Sequence, residues 1–448
     1  MRLHRITIKR YKNLRDFDCQ FSDSNVSAFI GNNGSGKSNL LEAITAVFSY
    51  VKKDISNSYL KPLPTVDIDD CSIVYECTGH NYVLHCSHSN YSIYEGERKL
   101  AKKEMDAALP TTILLYYAGE TNRQETIALE TVDEKYENAL KKSQGSELPG
   151  YKFIDYYSTE DLGALLLTAA VYRGPYYQEL LDLLGCTAIH PNFTLSLINP
   201  KGKPGQADTF WNARGFVKNY LDQLRRYVSR TKDLVVKYIM SFSDFDGVKN
   251  VAENESDFFA KLKVLMNTGY LEWIDLKLEN ERGELFDYND LSEGEKQLSL
   301  LLLLLSFTAK NNCLYLFDEF DSYLHLNWQR SLSEMIMKRD VNGHVIYTTH
   351  SPGTISQIRS EELYIMRQGQ VLYPESETYN RALDEIMLEH MGISMRTPEI
   401  ERIYDRFKQA IADGNKEEAQ RYTDQLKNTL DENDPLFVRI RLLLRRIS

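Results

Sequence analysis

No apolar run in this 448-residue sequence is long enough to cross a bilayer. The longest, residues 298–307, is interrupted by Ser299 and Ser306 and reaches about half of the roughly 20 residues a spanning helix needs. It suits a buried core helix instead. The opening segment MRLHRITIKRYKNL carries no apolar stretch behind its basic residues, so no secretory signal is expected. Paired cysteines are also missing. Cys19, Cys71, Cys77, Cys86, Cys186 and Cys313 are scattered with no C-x-x-C spacing, which argues against a zinc knuckle and a disulfide framework. Reduced thiols, a cytoplasmic location and no membrane partner are the expectation. Excess positive charge is lacking as well. Lys plus Arg is 53 and Asp plus Glu is 64, a net charge of −11, so coating nucleic acid by bulk charge is excluded while a local basic patch is not. There is no internal repeat, no low-complexity tract and no long heptad array, so neither a solenoid nor extended coiled-coil arms are expected.

The composition that remains is ordinary globular material, in a length that fits two or three domains. Leu3, Ile6 and Ile8 open a strand, and residues 17–21 read as its antiparallel partner. Residues 26–30 form a short apolar strand that runs into a glycine-rich loop. Residues 39–50 then have a helical pattern, with Leu40, Leu41, Ile44 and Val47 on one side. Strands return over 72–85, with a turn at Gly79, His80 and Asn81, and again over 112–117.

The glycine-rich loop is Gly31-Asn32-Asn33-Gly34-Ser35-Gly36-Lys37-Ser38, a full match to G-x-x-x-x-G-K-[ST]. Its glycines let the backbone wind tightly, so that successive N–H groups face phosphate oxygens. The helix that follows offers its positive N-terminus to the same anion. Lys37 reaches the β- and γ-phosphates, and the Ser38 hydroxyl ligates magnesium. The expected nucleotide contacts are Asn32, Asn33, Gly34, Ser35, Gly36, Lys37, Ser38 and Asn39.

A second cluster lies far along the chain. Four apolar residues, Leu314 to Phe317, precede Asp318 and Glu319. A buried parallel strand delivers both acids to its carboxyl end, where Asp318 holds magnesium through water and Glu319 orients and deprotonates the attacking water. Many core strands end in acids, so the neighbours carry the weight. Upstream, Leu291-Ser292-Glu293-Gly294-Glu295-Lys296-Gln297 places a hydroxyl and free N–H groups at a helix start, a second anion-binding corner. Downstream, Tyr347-Thr348-Thr349-His350-Ser351 ends an apolar strand in a histidine suited to sensing the γ-phosphate.

This order of motifs resembles the ABC-type ATPase heads of the SMC and RecF kind, as does the opening Ile8-Lys9-Arg10-Tyr11-Lys12-Asn13-Leu14. The resemblance implies an α/β P-loop ATPase head that hydrolyses ATP with Mg2+. It implies a head-to-head dimer enclosing two nucleotides, in which Ser292 and Gly294 of one subunit meet the γ-phosphate held by Lys37 of the other. It assigns Glu319 and His350 to catalysis. It also assigns Asp321-Ser322-Tyr323-Leu324-His325 to a loop crossing the dimer interface. Glu295 stands where transporter ATPases carry Gln. The magnesium-sensing glutamine of the family falls near Gln124, which reads equally well as a surface residue.

The pattern from Asp318 to His325, together with the tail from Arg396, is similar to the stand-alone ATPases of bacterial antiphage operons, Septu-like and retron-associated. That likeness implies a regulatory ATPase whose oligomers control a separately encoded effector, often an HNH nuclease. Neither a Toprim-like acidic constellation nor an HNH cluster is recognisable in the sequence. The alternatives are a RecF-like DNA-repair ATPase that binds DNA directly, and an ATP-bound scaffold with little turnover. The corresponding division is a first head lobe at 1–119, a mostly helical insertion at 120–270, a second head lobe at 271–380 and a C-terminal helical module at 381–448. Within the insertion, Arg214, Lys218, Arg225, Arg226, Arg230, Lys232 and Lys237 read either as a DNA-facing helix or as a solvated one. The tail reads either as a cap on the core or as a module for assembly or effector binding.

Overall fold

The computed structural model describes residues 1–56, 68–88, 90–118, 125–126, 128, 134–202, 205–234, 236–308, 312–322, 324–338, 341, 343–374, 376–381, 386, 396–431 and 434–445. The chain divides into two compact units, Met1–Asn380 and Arg381–Ser448.

Among the described residues the first unit holds three sheets. Its strands in chain order are β1 (Arg2–Tyr11), β2 (Leu14–Gln20), β3 (Val26–Ile30), β4 (Asp69–Cys77), β5 (His80–Ser87), β6 (Asn90–Glu95), β7 (Arg98–Lys99), β8 (Ile113–Tyr117) and β9 (Ile154–Tyr157). They continue with β10 (Cys186–Ile198), β11 (Arg230–Asp233), β12 (Lys237–Phe242), β13 (Leu271–Asn280), β14 (Leu285–Asp287), β15 (Cys313–Asp318), β16 (Gly343–Thr348), β17 (Leu363–Arg367) and β18 (Gln370–Leu372).

The central sheet runs β18-β17-β3-β16-β15-β8-β9. All its neighbours pair in parallel except β17 with β18. Every residue of β3, β15 and β16 is buried, as expected of strands covered on both faces. A six-stranded antiparallel sheet, β2-β1-β4-β5-β6-β7, shares one core with it through the helix Lys37–Ile55, which buries Leu40, Leu41, Ile44, Val47 and Phe48. The apolar run 298–307 lies in the helix Glu293–Thr308, where Leu298 and Leu300 through Leu305 are buried. No helix of the described residues is long and apolar enough to cross a membrane.

The stretch 120–270 holds the expected helices Leu162–Tyr172 and Tyr177–Leu184, but it also carries strands. It contributes β9 to the edge of the central sheet, and β10, β11 and β12 to a five-stranded antiparallel sheet completed by β13 and β14. The helical pattern read from 216 onward stops at Arg225. Beyond it, Tyr238, Met240 and Phe242 alternate with less buried neighbours, a period of two that belongs to a strand. The boundaries at 120 and 270 therefore cut across two sheets. The separation between β10 and its partner β13 along the chain hides the pairing from local pattern.

All six thiols are free and buried. Burial pushes them up, Cys86 and Cys186 to about 11 and Cys313 to about 12. The second unit contains the helices Pro398–Ala412, Lys416–Lys427 and Leu436–Leu444, packed through Phe407, Ala410, Ala419, Leu426, Phe437 and Ile440. Arg396 holds Asp434 with two hydrogen bonds, at 3.0 and 2.6 Å.

One buried histidine ties the first sheet to the central one. In β16, His344 accepts the Leu3 N–H at Nδ1 (3.1 Å), and its Nε2 lies 3.0 Å from the Ser27 hydroxyl. Burial lowers its pKa to about 3 from the ordinary 6.5. The folded chain keeps the ring neutral while the unfolded chain protonates it, so this contribution is complete above pH 6.5 and is lost as pH falls toward 3. Between pH 6.5 and 5 the loss is roughly 1–2 kcal/mol. Urea midpoints are expected to fall across that window. His344→Asn should be less stable at pH 7 and show a flatter slope.

Candidate functional site

The site forms where β3, β16 and β15 end side by side. After β3, Gly31 turns at φ +148°, and a Cβ there would fall 2.2 Å from the Met366 carbonyl oxygen. Gly34 and Gly36 also take positive φ, at +77° and +111°, and a Cβ on Gly36 would press on Leu14 and Asn13. The side-chain amide of Asn13 donates to the Gly34 carbonyl (2.8 Å) and accepts from Asn39 (2.7 Å), bracing the loop from the β1–β2 turn. The helix that starts at Lys37 has no side-chain cap, which leaves N–H groups available to an anion. The Ser35 hydroxyl is buried without a hydrogen-bond partner. An uncapped helix, a glycine turn with no room for side chains and an orphaned hydroxyl fit a phosphate chain.

Lys37 points back over the loop. Its ammonium donates to the Gly31 carbonyl at 2.9 Å and lies 2.8 Å from His350 Nε2. Burial lowers the Lys37 pKa to about 8 against the opposing pull of Asp318 and Glu319. Burial, with Lys37 nearby, lowers His350 to about 4, so the imidazole is neutral at physiological pH. The structure thus brings the loop and the histidine into direct contact across 313 residues of sequence.

The acid pair closes the third side. Asp318 is buried and raised by that burial, while hydrogen bonds from Thr348 and Ser38 and the charge of Lys37 oppose the rise. Glu319 is half-buried, with φ +49°, and its carboxyl is raised by burial and by Asp318. Thr348 serves both acids. Its hydroxyl donates to Asp318 and accepts the Glu319 N–H at 2.8 Å. Sequence reading quoted Thr348 without giving it a task. Its signal was only its place in the strand before His350.

The remaining candidates lie elsewhere. Ser292 starts the helix Glu293–Thr308 in a capping box with Glu295, whose carboxylate accepts both the Ser292 N–H (2.8 Å) and hydroxyl (2.6 Å). Ser292 is exposed, and its side chain hydrogen-bonds Glu295 rather than the phosphate loop of its own chain. Gly294 lies under Trp328, and a Cβ there would meet the indole at 2.5 Å. Gln297, one turn further on, donates to the Phe320 carbonyl and so connects this helix to the loop after the acid pair. In that loop Asp321 turns inward onto Thr349 and Thr354, and burial raises it to about 6. Leu324 is buried and His325 exposed, whereas Tyr323 lies outside the described residues, as does Gln124.

The seven basic residues between 214 and 237 do not form one helix face. Arg225 stacks 4.3 Å over Phe210 and donates to the Asp208 carbonyl, Lys218 pairs with Asp222, and Lys237 pairs with Glu272.

The RecF/RecN/SMC N-terminal domain family matches residues 2–371, and the chain belongs to it. It is an ATPase with the SMC head-like α/β fold, followed by C-terminal helices. A curated relative, the retron Vc95 probable ATPase of Vibrio cholerae serotype O1 biovar El Tor, is 23% identical over 489 aligned residues, covering 96% of this chain and 87% of the relative. The retron Ec83 probable ATPase of Escherichia coli is 30% identical over 121 residues, covering 24% of this chain and 22% of that protein. Among solved structures, the SMC head domain from Thermotoga maritima aligns over 84% of this chain and all of its own, at 14% identity and a TM-score of 0.38. The SMC head bound to the C-terminal winged-helix domain of ScpA aligns over 84% and 98%, at 15% identity and the same TM-score.

The double task of Thr348 generates a test. Thr348→Val keeps the volume and removes both hydrogen bonds, so stability should fall by about 1–3 kcal/mol. ATP turnover should fall with it, while Thr348→Ser should restore both. Chemical denaturation and a phosphate-release assay check the pair. Parent turnover in the Val variant would separate Thr348 from the positioning of the acids.

Proposed function

We propose that the chain is the ATP-hydrolysing regulatory subunit of a bacterial antiphage system, in which paired heads enclose two nucleotides and their state controls a separately encoded effector, a nuclease. The observation that carries the reading is the match to the retron Vc95 probable ATPase along 96% of this chain. The convergence of the phosphate loop, acid pair and histidine at the carboxyl ends of three neighbouring strands supports the hydrolytic part.

In this reading the N–H groups of residues 32–39 and the Lys37 ammonium bind the nucleotide phosphates. Ser38 and Asp318 would hold a magnesium ion, which would supply positive charge to offset that of the phosphates. Burial of Asp318 suits it to a cation partner, because a buried carboxylate without one is disfavoured. Glu319 orients the attacking water and takes its proton, and its raised pKa strengthens it as a base. His350, relieved of Lys37 once that ammonium turns to the phosphates, hydrogen-bonds a γ-oxygen. Ser292 and the Gly294 N–H of a second copy complete the γ-phosphate corner. The exposure of Ser292 at the start of its helix favours such a contact. The three helices of the second unit, 398–444, carry the higher assembly or the effector.

Replacing Glu319 with Gln should leave nucleotide affinity intact and slow hydrolysis by about 10²–10⁴-fold, since the amide cannot accept the proton. Single-turnover kinetics decide this, and an unchanged rate assigns the base elsewhere.

Association is tested by sedimentation with a non-hydrolysable ATP analogue. The parent chain should pair, while Ser292→Arg should bind nucleotide as a monomer and lose turnover. A chain ending at Asn380 should still pair but lose larger assemblies and co-purification with the neighbouring gene product. Pairing by Ser292→Arg would sink the shared-site arrangement. Normal assembly and co-purification by the shortened chain would leave the three helices without that role.

A further inference from the structure

A cleft of about 810 Å³, with no residue of the phosphate loop among its described lining, opens between the helix Glu134–Lys142, the segment 211–217 and the end of the helix Glu255–Asn267. Its volume lies within the range of small-ligand sites, about 300–1,000 Å³. Four cations line it, Lys141, Lys152, Lys201 and Arg214, against one carboxylate, Glu137. Lys141 lies 3.5 Å from Glu137, and Lys152 lies 3.7 Å from Asp155. Lys201 and Arg214 are exposed and have no acidic partner among the described residues. Among the described lining residues, cations therefore outnumber carboxylates.

Its walls are also aromatic, with Trp211 and Tyr270 among the lining residues. Trp211 is 9% exposed, and its indole Nε1 is buried with no hydrogen-bond partner. Three consecutive residues here, Phe210, Trp211 and Asn212, hold left-handed φ of 49°, 51° and 60°. Such a backbone persists only where the surroundings enforce it. Here the Trp211 N–H donates to the Gln206 carbonyl (3.0 Å), and the Arg225 guanidinium covers the Phe210 ring. The fold thus spends strain to hold an indole at a cationic cleft.

We infer that this cleft is a second nucleotide site, one that takes a free nucleoside phosphate. Lys201 and Arg214 meet the phosphates, and the base lies against the Trp211 ring. The lining joins cations to aromatic rings in one cavity of small-ligand size, which fits a single nucleotide.

Two contacts give the site a route to the ATPase sheet. The helix Glu255–Asn267 reaches the cleft through Val264 and Asn267. One residue earlier, Lys263 donates to the Tyr156 carbonyl (2.8 Å) and to Asp161 (2.6 Å), and Asn267 donates to Asp155 (3.2 Å). Asp155 and Tyr156 belong to β9, the edge strand of the sheet that carries the acid pair.

The test uses the full chain with Lys37→Ala, which removes the phosphate-loop lysine, and labelled ATP, GTP, CTP and UTP as probes. At least one of them should bind at one per chain and quench tryptophan fluorescence. Lys201→Glu with Arg214→Glu should weaken that binding by about tenfold or more, and Trp211→Phe should remove the quench. In the chain with Lys37 intact, the same charge reversal should reduce bound nucleotide from two per chain to one. Loss of the remaining one would instead indict the phosphate-loop reading. The inference is overturned if no probe binds the Lys37→Ala chain at about 1 mM. It is equally overturned if charge reversal leaves binding unchanged, or if a short 5′-phosphorylated oligonucleotide binds about tenfold more tightly than every free nucleotide.

Discussion

Three parallel strands, β3, β16 and β15, are hydrogen-bonded in a register that sets Thr348 beside Phe29 and Phe317 beside Tyr347. A slip of two residues in either pairing would separate Lys37 from His350, or Thr348 from the two acids. The side chains that hold the register are buried and mostly apolar, with Ser27 and His344 hydrogen-bonded between β3 and β16, so the chemistry at the strand ends is fixed by packing beneath it. The β1–β2 turn and β17 then lock the loop from outside. Asn13 holds the Gly34 carbonyl, and Met366 fills the space that a side chain on Gly31 would need.

That packing creates an electrostatic imbalance at the site. Asp318, Glu319 and Asp321 are all raised chiefly by burial, Lys37 is lowered by it, and His350 is kept neutral. Two of these acids, Asp318 and Glu319, act on a single lysine, Lys37. A charged ligand set that brings both phosphate and cation relieves both signs of misfit, because each buried group then gains the partner it lacks. Thr348 and Thr349 keep the arrangement from collapsing meanwhile, each donating to a carboxylate that water no longer reaches.

The central sheet and its loop were legible because each signal is local. The glycines and Lys37 lie within eight residues, and Asp318 and Glu319 follow directly on an apolar strand. The five-stranded sheet was not legible. β10 pairs with β13 across most of the stretch read as helical, and β11 carries four exposed residues with no apolar alternation to betray a strand. Asn13 and Thr348 escaped assignment for a different reason. Their tasks are hydrogen bonds to groups distant in sequence, and residue type alone does not reveal such partners. Gly294 teaches the converse. Its place in a motif points to phosphate contact, and Trp328 gives it a second, independent reason to lack a side chain, one invisible in the sequence.

The buried thiols have a practical consequence. Cys19, Cys71, Cys77 and Cys86 lie in the six-stranded sheet, Cys186 in the five-stranded one and Cys313 in the central one. Every one is shielded from solvent and held in its protonated, unreactive form. An alkylating reagent therefore reaches a given sulfur only when its own sheet opens. Pulse labelling followed by mass spectrometry would time the opening of the three sheets separately, in the unaltered sequence.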